Sequence, residues 1–224
     1  MKYINNQNLK ALLLSAMTLT LAACGGSTSD KIVDQIDTSY SASIAYINAT
    51  DNSSTFFTKS TVYNEDLYSN RFNIVEVMRN ESSARYTHEW ISGANGTLFG
   101  AENAITMQDR VSKNLDLDNS ENYWVVATND STPKLNILKR KQSDNASTYN
   151  VRVFSTKAVD ITIVGTEGVV KRTEPDTVTT FFNLENCSDL YVENNLINVC
   201  QNGNVGASYI AIVDENGQLA LARE

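Results

Sequence analysis

The sequence predicts an all-β protein in which two small antiparallel β-sandwich domains follow one another. Thr, Ser, Val, Ile and Tyr are abundant, and proline occurs only twice in 224 residues. This composition favours extended strands. Short apolar runs recur at close spacing and are separated by Asn and Asp, which are typical turn residues. Many short strands joined by turns indicate sandwiches or small barrels.

Four segments between residues 41 and 128 have strand character and are bounded by polar turn residues. They are SASIAYINAT (41–50), RFNIVEVMR (71–79), ARYTHEWIS (84–92) and YWVVAT (123–128). At 100–111, GAENAITMQDRV, we expect one short helix instead of a strand.

The C-terminal segment predicts a β-hairpin. Asn216-Gly217 separates YIAIV from LALAR, and this dipeptide between two apolar runs is a strong hairpin signal. Pairing Glu215 with Gln218 around the turn would place Ile212 opposite Leu221. The hairpin would then have one apolar face.

Two parts of the chain resemble each other. NYWVVATNDSTPKLNILKR (122–140) aligns with SYIAIVDENGQLALAR (208–223), and ASIAYIN (42–48) aligns with YNVRVFS (149–155). Both alignments keep the apolar positions in step. An internal duplication explains the similarity, and so does the alternation that any two amphipathic hairpins share.

The alignment, which places Tyr123 on Tyr209, divides the chain into two units. We expect a first β domain at 36–140, a polar linker at 141–148 and a second β domain at 149–224. The opening strand and closing hairpin of each unit resemble the tandem immunoglobulin-like domains of bacterial surface lipoproteins. The resemblance implies immunoglobulin-like sandwiches and transfers no functional residue.

The N-terminus has the pattern of an export signal. Lys2 and Lys10 precede ALLLSAMTLTLAA (11–23), which is shorter than the roughly 20 apolar residues that a membrane-spanning helix needs. A basic start, a short apolar run and small residues before a boundary are typical of a signal peptide. We expect residues 1–23 to be removed.

Leu21-Ala22-Ala23-Cys24 resembles the lipobox of bacterial lipoproteins. The resemblance implies that Cys24 becomes an acylated N-terminus carrying fatty acids such as palmitate. Residues 24–35 would then be the lipidated start and a flexible tether, since Gly and Ser keep a chain flexible. In this family a residue other than Asp after the cysteine permits transfer to the outer membrane, and Gly25 fits. A general signal peptide followed by a chance cysteine is the alternative.

The mature chain is acidic. Removing 23 of the 224 residues leaves 201, and because the leader carries two lysines and no acid, the formal charge falls from −8 to −10. Such a chain is a poor partner for nucleic acid or for an anionic membrane surface. We interpret the acidic composition as one that keeps the protein soluble.

Beyond residue 24 the chain contains Cys187 and Cys200. An even pair in an exported protein predicts a disulfide. Two short β-prone runs flank Glu193-Asn194-Asn195, and pairing Val192 with Asn195 would put the two cysteines opposite each other. A zinc site would need more ligands than two thiolates.

Candidate ligand-binding side chains lie in RYTHEWI. Tyr86, His88 and Trp90 share one face of a strand by its two-residue period, and this face could stack on a sugar or another ring. An ordinary half-exposed strand is the alternative. His88 is the only histidine, so a Ser-His-Asp or Cys-His mechanism would have to use it.

The sequence shows no recognisable catalytic, cofactor or metal motif. GxSxG, the P-loop and the dinucleotide-binding glycine pattern do not occur. Asp116, Asp118 and Ser120 alternate as at the start of a calcium loop. Glu121 stands where that loop needs glycine, which excludes an EF-hand and leaves a looser calcium site open.

These features predict a lipid-anchored, non-enzymatic cell-envelope protein that acts as an interaction, adhesion or structural module. Its partner would be an envelope protein or a surface glycan. One alternative is a lipoprotein that binds a carbohydrate or small ligand through aromatic faces such as Tyr86/Trp90 or the Tyr123-Trp124 strand. Another is an envelope hydrolase whose carboxylates come from distant parts of the chain.

Overall fold

The strand-forming segments fold into two β-sandwiches. The computed structural model describes residues 39–130, 132–165, 170–201 and 203–224. These residues form seventeen β-strands and one short 3₁₀ helix, Asn70–Phe72, and contain no α-helix. The prediction of an all-β protein with tandem sandwiches is confirmed.

The first sandwich contains eight strands. They are β1 (Ser39–Ala49), β2 (Ser54–Ser60), β3 (Asn73–Val77), β4 (Tyr86–Ile91), β5 (Gly96–Asn103), β6 (Val111–Asp116), β7 (Asn122–Asp130) and β8 (Thr132–Lys139). One sheet has the order β4-β1-β7-β8 and the other has the order β3-β2-β5-β6. Neighbouring strands are antiparallel except β1 and β7, which are parallel.

The second sandwich contains nine strands. They are β9 (Tyr149–Ser155), β10 (Asp160–Ile163), β11 (Val170–Arg172), β12 (Thr177–Val178), β13 (Phe182–Leu184), β14 (Leu190–Val192), β15 (Asn195–Leu196), β16 (Ser208–Asp214) and β17 (Gly217–Arg223). The sheets have the orders β12-β9-β16-β17, with β13 also on β9, and β11-β10-β14-β15. Strands β9 and β16 are parallel.

The two sandwiches share one topology. In each, the first strand pairs in parallel with the penultimate strand, which forms an antiparallel hairpin with the last strand. The registers also agree, because Ile44 lies opposite Tyr123 and Val151 lies opposite Tyr209. These are the residues that the sequence alignment superimposes. A shared strand order and register favour duplication over coincidental alternation.

The parallel strand pairs at the centre of these sheets, β1 with β7 and β9 with β16, are buried on both faces. Along β1, Ile44 and Tyr46 face the core of the first sandwich, whereas Ala45 and Ile47 face an apolar cluster that includes residues of the second sandwich. Strands β7, β9 and β16 divide their side chains in the same way. Burial on both faces is typical of strands with nearly continuous apolar runs.

The apolar cluster between the two sandwiches is called the junction core below. It consists of Ala45, Ile47, Ala49, Trp124, Val126, Phe154, Ile210, Ile212, Ala220 and Ala222. The segment 141–148 is bound to the second sandwich, where Ser143 N donates to Ser208 Oγ at 2.9 Å. Residues 38–224 accordingly form one compact unit.

The expected helix at 100–111 is wrong. Strand β5 continues to Asn103 and β6 begins at Val111. The side-chain oxygen of Asn103 accepts the N–H groups of Ile105 and Thr106 at 3.0 and 3.1 Å, a local bond that competes with helical hydrogen bonding. Met107 has a φ of 55°, which a right-handed helix does not tolerate.

The C-terminal hairpin is confirmed, but its predicted register is wrong. Asp214 lies opposite Gly217, and a bulge at Ile212 places Ala220 rather than Leu221 across from Ile212. Asp214 Oδ1 accepts the N–H of Asn216 at 2.8 Å. Gly217 has a φ of 115°. The glycine thus supplies the positive φ at the end of the turn instead of inside it.

The predicted disulfide is confirmed. Cys187 and Cys200 are bonded, with their Cα atoms 4.9 Å apart. Val192 lies opposite Asn195 in the hairpin between them, as the spacing predicts. The bridge lies beyond the ends of β14 and β15. It therefore links the two ends of the hairpin that these strands form.

Candidate functional site

The predicted lipidation site lies outside the described residues. This holds for Cys24, for the leader 1–23 and for the tether 24–35. In the part of the chain that the structure describes, no helix is long and apolar enough to cross a bilayer.

The three aromatic candidates lie on one face of β4, and that face points into the first sandwich. Trp90 is 8% exposed and belongs to the core, while Tyr86 and His88 are half-buried. The alternate residues Thr87, Glu89 and Ile91 are exposed. The rings therefore contribute mainly to packing and present little surface to solvent.

His88 has the environment of a packed ring. Its Nε2 lies 3.3 Å from the hydroxyl of Thr97, which is itself fully buried. Its ring stacks on Trp90 with 6.1 Å between centroids. Burial lowers the pKa of His88, so the ring is neutral at pH 7. The buried hydroxyl of Thr97 is out of reach of an external substrate.

A shallow depression lies at one edge of this aromatic face. Its lining residues are Tyr40, Trp90, Ser92, Gly93, Asn95, Leu117, Asp118 and Asn119, and its volume is about 280 Å³. The rings of Tyr40 and Trp90 stack with 6.3 Å between centroids and 22° between planes. A polar ring-shaped ligand contacts aromatic faces together with nearby carboxylate and amide groups, and the lining of this depression contains all three.

The second aromatic pair proposed from the sequence is buried. Tyr123 and Trp124 are each 2% exposed. The hydroxyl of Tyr123 accepts the N–H of Asp118 at 3.0 Å, and the equivalent hydroxyl of Tyr209 accepts the N–H of Asn204 at 2.7 Å. The tyrosines tie a preceding loop to each sandwich and offer no surface for stacking.

Three acidic residues contribute to the lining of one small cavity. Asp51, Glu102 and Asp109 contribute to its lining, and its volume is about 30 Å³, room for one or two water molecules. Glu102 is paired with Arg110 at 2.8 Å. This space is too small for a glycan, so it gives no support to a hydrolase site.

Two acidic residues of the segment 116–121, Asp118 and Glu121, pair with Lys139. The carboxylate of Asp118 is paired with Lys139 Nζ at 2.8 Å, and this hydrogen bond lowers the pKa of Asp118. Within the described ranges no group of three or more His, Cys, Asp or Glu residues could hold a metal ion.

The most unusual polar group was not predicted from the sequence. Glu224 and Arg152 form an ion pair whose side chains are 0% and 3% exposed. Oε1 of Glu224 accepts from Nε of Arg152 at 2.9 Å and also from Nη2. Oε2 accepts from Trp124 Nε1 at 2.9 Å and from Lys141 N at 3.2 Å. Four donors satisfy this carboxylate.

Arg140 lies beside this ion pair. Its guanidinium stacks on Trp124 at 4.2 Å from the ring centroid, and Nη2 donates to the main-chain oxygen of Arg223 at 3.0 Å. Burial, together with repulsion from Arg85, lowers the pKa of Arg140 to about 10. Arg85, Arg140 and Glu224 line a polar cavity of about 290 Å³.

One sequence signal could have located this cluster. In the alignment of 42–48 with 149–155, Arg152 occupies the position of Ala45. A charged residue among the apolar residues of a central strand needs a buried partner. The partner is 72 residues away, so the sequence could indicate the need but not the identity.

No family model matches this chain, and no curated protein matches it. The fold and the junction define its class as an all-β protein of two fused sandwiches with a shared buried ion cluster.

Proposed function

We propose that this is a lipid-anchored, non-enzymatic protein of the cell envelope whose two fused sandwiches act as an interaction or structural module. The observation that carries the proposal is the sequence Leu21-Ala22-Ala23-Cys24, which precedes the first described strand, β1, by a short segment. The resemblance to a lipobox supplies the anchor.

The distance between anchor and body suits a surface module. Fourteen residues (25–38) separate Cys24 from β1, a length that spans at most about 50 Å when fully extended. Several acyl chains, at about 0.8 kcal/mol per buried methylene, hold a protein at a bilayer durably. Confinement to that surface raises the effective concentration of the protein toward envelope partners.

The junction core supports a module that acts as one body. Because the two sandwiches share buried apolar residues on β1, β7, β9, β16 and β17, surface groups on both sandwiches keep fixed relative positions. Partner recognition then requires less ordering on binding. We assign the protein to the outer membrane because Gly25 follows the cysteine.

Replacement of the anchoring thiol tests the proposal. Cys24→Ala is expected to move the protein from the membrane fraction to the soluble envelope fraction, and mass spectrometry of the wild type should find acyl chains on residue 24. Gly25→Asp is expected to keep the lipidated protein in the inner membrane. The control is Cys187→Ala/Cys200→Ala, which removes the disulfide and should leave the protein membrane-bound.

Two results would reject the anchor. One is Cys24→Ala protein that remains in the membrane fraction after a salt wash. The other is a native N-terminus that still carries the leader or an unmodified cysteine.

A second candidate function is the binding of a carbohydrate or another small ring-shaped ligand. The supporting observation is the depression of about 280 Å³ beside the stacked Tyr40 and Trp90 rings. The test is a glycan panel read by thermal shift, with Tyr40→Ala expected to abolish any response. Tyr63→Ala, at a tyrosine that is 44% exposed elsewhere, is the matched control. A panel with no shift for the wild type rejects this candidate.

A further inference from the structure

Arg140 is a buried cation that the protein only partly satisfies. Its side chain is 4% exposed, and neither Nε nor Nη1 makes a hydrogen bond with another described residue. These two nitrogens carry three N–H bonds, since Nη1 has two and Nε has one. Burial of hydrogen-bond donors without acceptors costs free energy. The guanidinium of Arg140 therefore requires an acceptor that the described residues do not supply.

The nearest carboxylate does not supply that acceptor. Oε2 of Glu224 lies 3.9 Å from Nε of Arg140, which is too far for a hydrogen bond. Glu224 already accepts four hydrogen bonds, from Arg152, Trp124 and Lys141 N. Its side-chain carboxylate is therefore committed to the Arg152 side of the cluster.

A second cation increases the local excess of positive charge. Arg85 Nη2 donates to the main-chain oxygen of Glu224 at 3.4 Å, and Arg85 lies close enough to Arg140 to lower its pKa. The lining of the cavity also includes Lys141. Three cationic side chains thus surround a space whose single acidic side chain is occupied, in a protein whose formal charge is −8.

The cavity has room for a ligand. It measures about 290 Å³, and Asn122 and Gln142 add amide groups to its lining. Since a water molecule takes up about 30 Å³ of liquid, the space corresponds to about ten water molecules. An oxyanion with a short organic substituent fits this volume. A polymer such as nucleic acid does not.

We propose that the cavity lined by Arg85, Arg140 and Lys141 at the junction of the two sandwiches binds a small oxyanion, a carboxylate or phosphate group. The anion accepts hydrogen bonds from Arg140 and lies between the guanidinium groups of Arg140 and Arg85. Arginine is well suited to this role because its planar guanidinium matches such oxygens. Because the cavity lies where the two sandwiches meet, a bound anion strengthens the association between them.

The site goes beyond the proposed function and does not depend on the anchor. The Cys24→Ala variant, which keeps all the lining residues, is expected to bind the same anions with the same affinity. A failure of anion binding and a failure of lipidation are thereby separated.

The experiment measures thermal unfolding of the full mature chain with sodium phosphate, succinate or citrate, against sodium chloride at equal ionic strength. We expect at least one oxyanion to raise Tm by about 5 °C at one hundred times its Kd. Calorimetric titration of that anion should give one site per chain. It should also change the fluorescence of Trp124, which contacts Arg140.

Two variants identify the site. Arg85→Gln, at an exposed residue, should fold normally and raise the Kd at least tenfold. Arg140→Lys keeps a charge but shortens the donor group, and it should also weaken binding. The matched control Arg79→Gln removes an exposed arginine that pairs with Asp51 at 3.9 Å and should leave the Kd unchanged.

Three outcomes overturn the proposal. The first is no stabilisation by any of the three oxyanions beyond that of chloride, which would leave only water beside Arg140. The second is equal stabilisation by all salts, which indicates screening. The third is an unchanged Kd in Arg85→Gln.

Discussion

Glu224 shows at the residue scale how a single carboxylate organises buried charge. Its two oxygens accept from two side chains and one main-chain N–H, and its partner Arg152 also donates to the main-chain oxygen of Lys139 at 3.1 Å. A buried pair of this kind adds little net stability relative to apolar side chains. Replacement of only one residue of the pair lowers the stability of the fold, because the remaining charge stays buried without a partner.

We predict that Arg152→Met lowers the free energy of unfolding by about 3–5 kcal/mol, since it leaves the buried carboxylate of Glu224 without its closest guanidinium partner. Equilibrium unfolding in urea measures this change. The matched control is Arg172→Met, which breaks the exposed pair with Asp160 and should cost about 0–1 kcal/mol. Equal losses in the two variants would show that burial does not determine the effect.

His88 makes stability depend on pH. Burial lowers its pKa in the folded protein below the ordinary value of 6.5. Between these two values only the unfolded chain binds the proton, so the stabilising contribution is complete above about pH 6.5 and is lost as the pH falls through the window below it.

We predict that Tm of the wild type falls between pH 7.5 and pH 5.5 and that His88→Gln reduces this fall. No other histidine contributes, because the sequence has only one. Thermal unfolding at five pH values measures the slope. An identical slope in wild type and variant would contradict the assignment.

At the element scale, the second sandwich contains short hairpins where long strands could have formed, and side-chain bonds to loops help to hold it together. Strands β14 and β15 contain only three and two residues, and the Cys187–Cys200 bridge encloses them. The second sandwich has shorter strands than the first, so it gains more from a covalent link. A small fold with little core commonly needs such a staple.

We predict that Cys187→Ala/Cys200→Ala lowers the free energy of unfolding by up to about 3 kcal/mol, because the unfolded chain regains the entropy of a loop with a sequence separation of 13. Urea unfolding without reductant measures it. Addition of reductant should destabilise the wild type equally and leave the variant unchanged. A variant as stable as the wild type would exclude a structural role for the bridge.

At the scale of the whole molecule, the junction core makes one folding unit of two sandwiches. Ten buried residues from both sandwiches form it, among them Phe154 and Ile210, which are 0% exposed. Separation of the sandwiches would expose this apolar surface to water. The two halves therefore unfold together.

We predict one calorimetric transition whose enthalpy equals its van't Hoff enthalpy, and a loss of about 3–5 kcal/mol for Phe154→Ala through cavity formation in the junction core. The control Val178→Ala, at a residue 37% exposed, should cost under about 1 kcal/mol. Two separate transitions in the wild type, with only one of them shifted by Phe154→Ala, would contradict a shared unit.

Local patterns in the sequence predicted several features correctly because each depends on neighbouring residues. The turn at Glu193-Asn194-Asn195 fixed the pairing of Val192 with Asn195 and brought the two cysteines together. The hairpin around residue 216 was recognisable, but its register differs through a bulge at Ile212 and a turn in which Asp214 Oδ1 accepts the N–H of Asn216. The expected helix at 100–111 failed for a similar reason, since Asn103 binds the following N–H groups.

The sequence by itself determined the all-β class and the disulfide, because strand alternation, turn residues and cysteine spacing act over a few residues. Only the tertiary structure showed that Trp90 and Trp124 point inward, and that Arg85, Arg140, Arg152 and Glu224 meet at the junction. These residues come from four distant segments. Which segments become neighbours is decided by the burial of a second apolar face on β1, β7, β9 and β16, a long-range packing that no local pattern specifies.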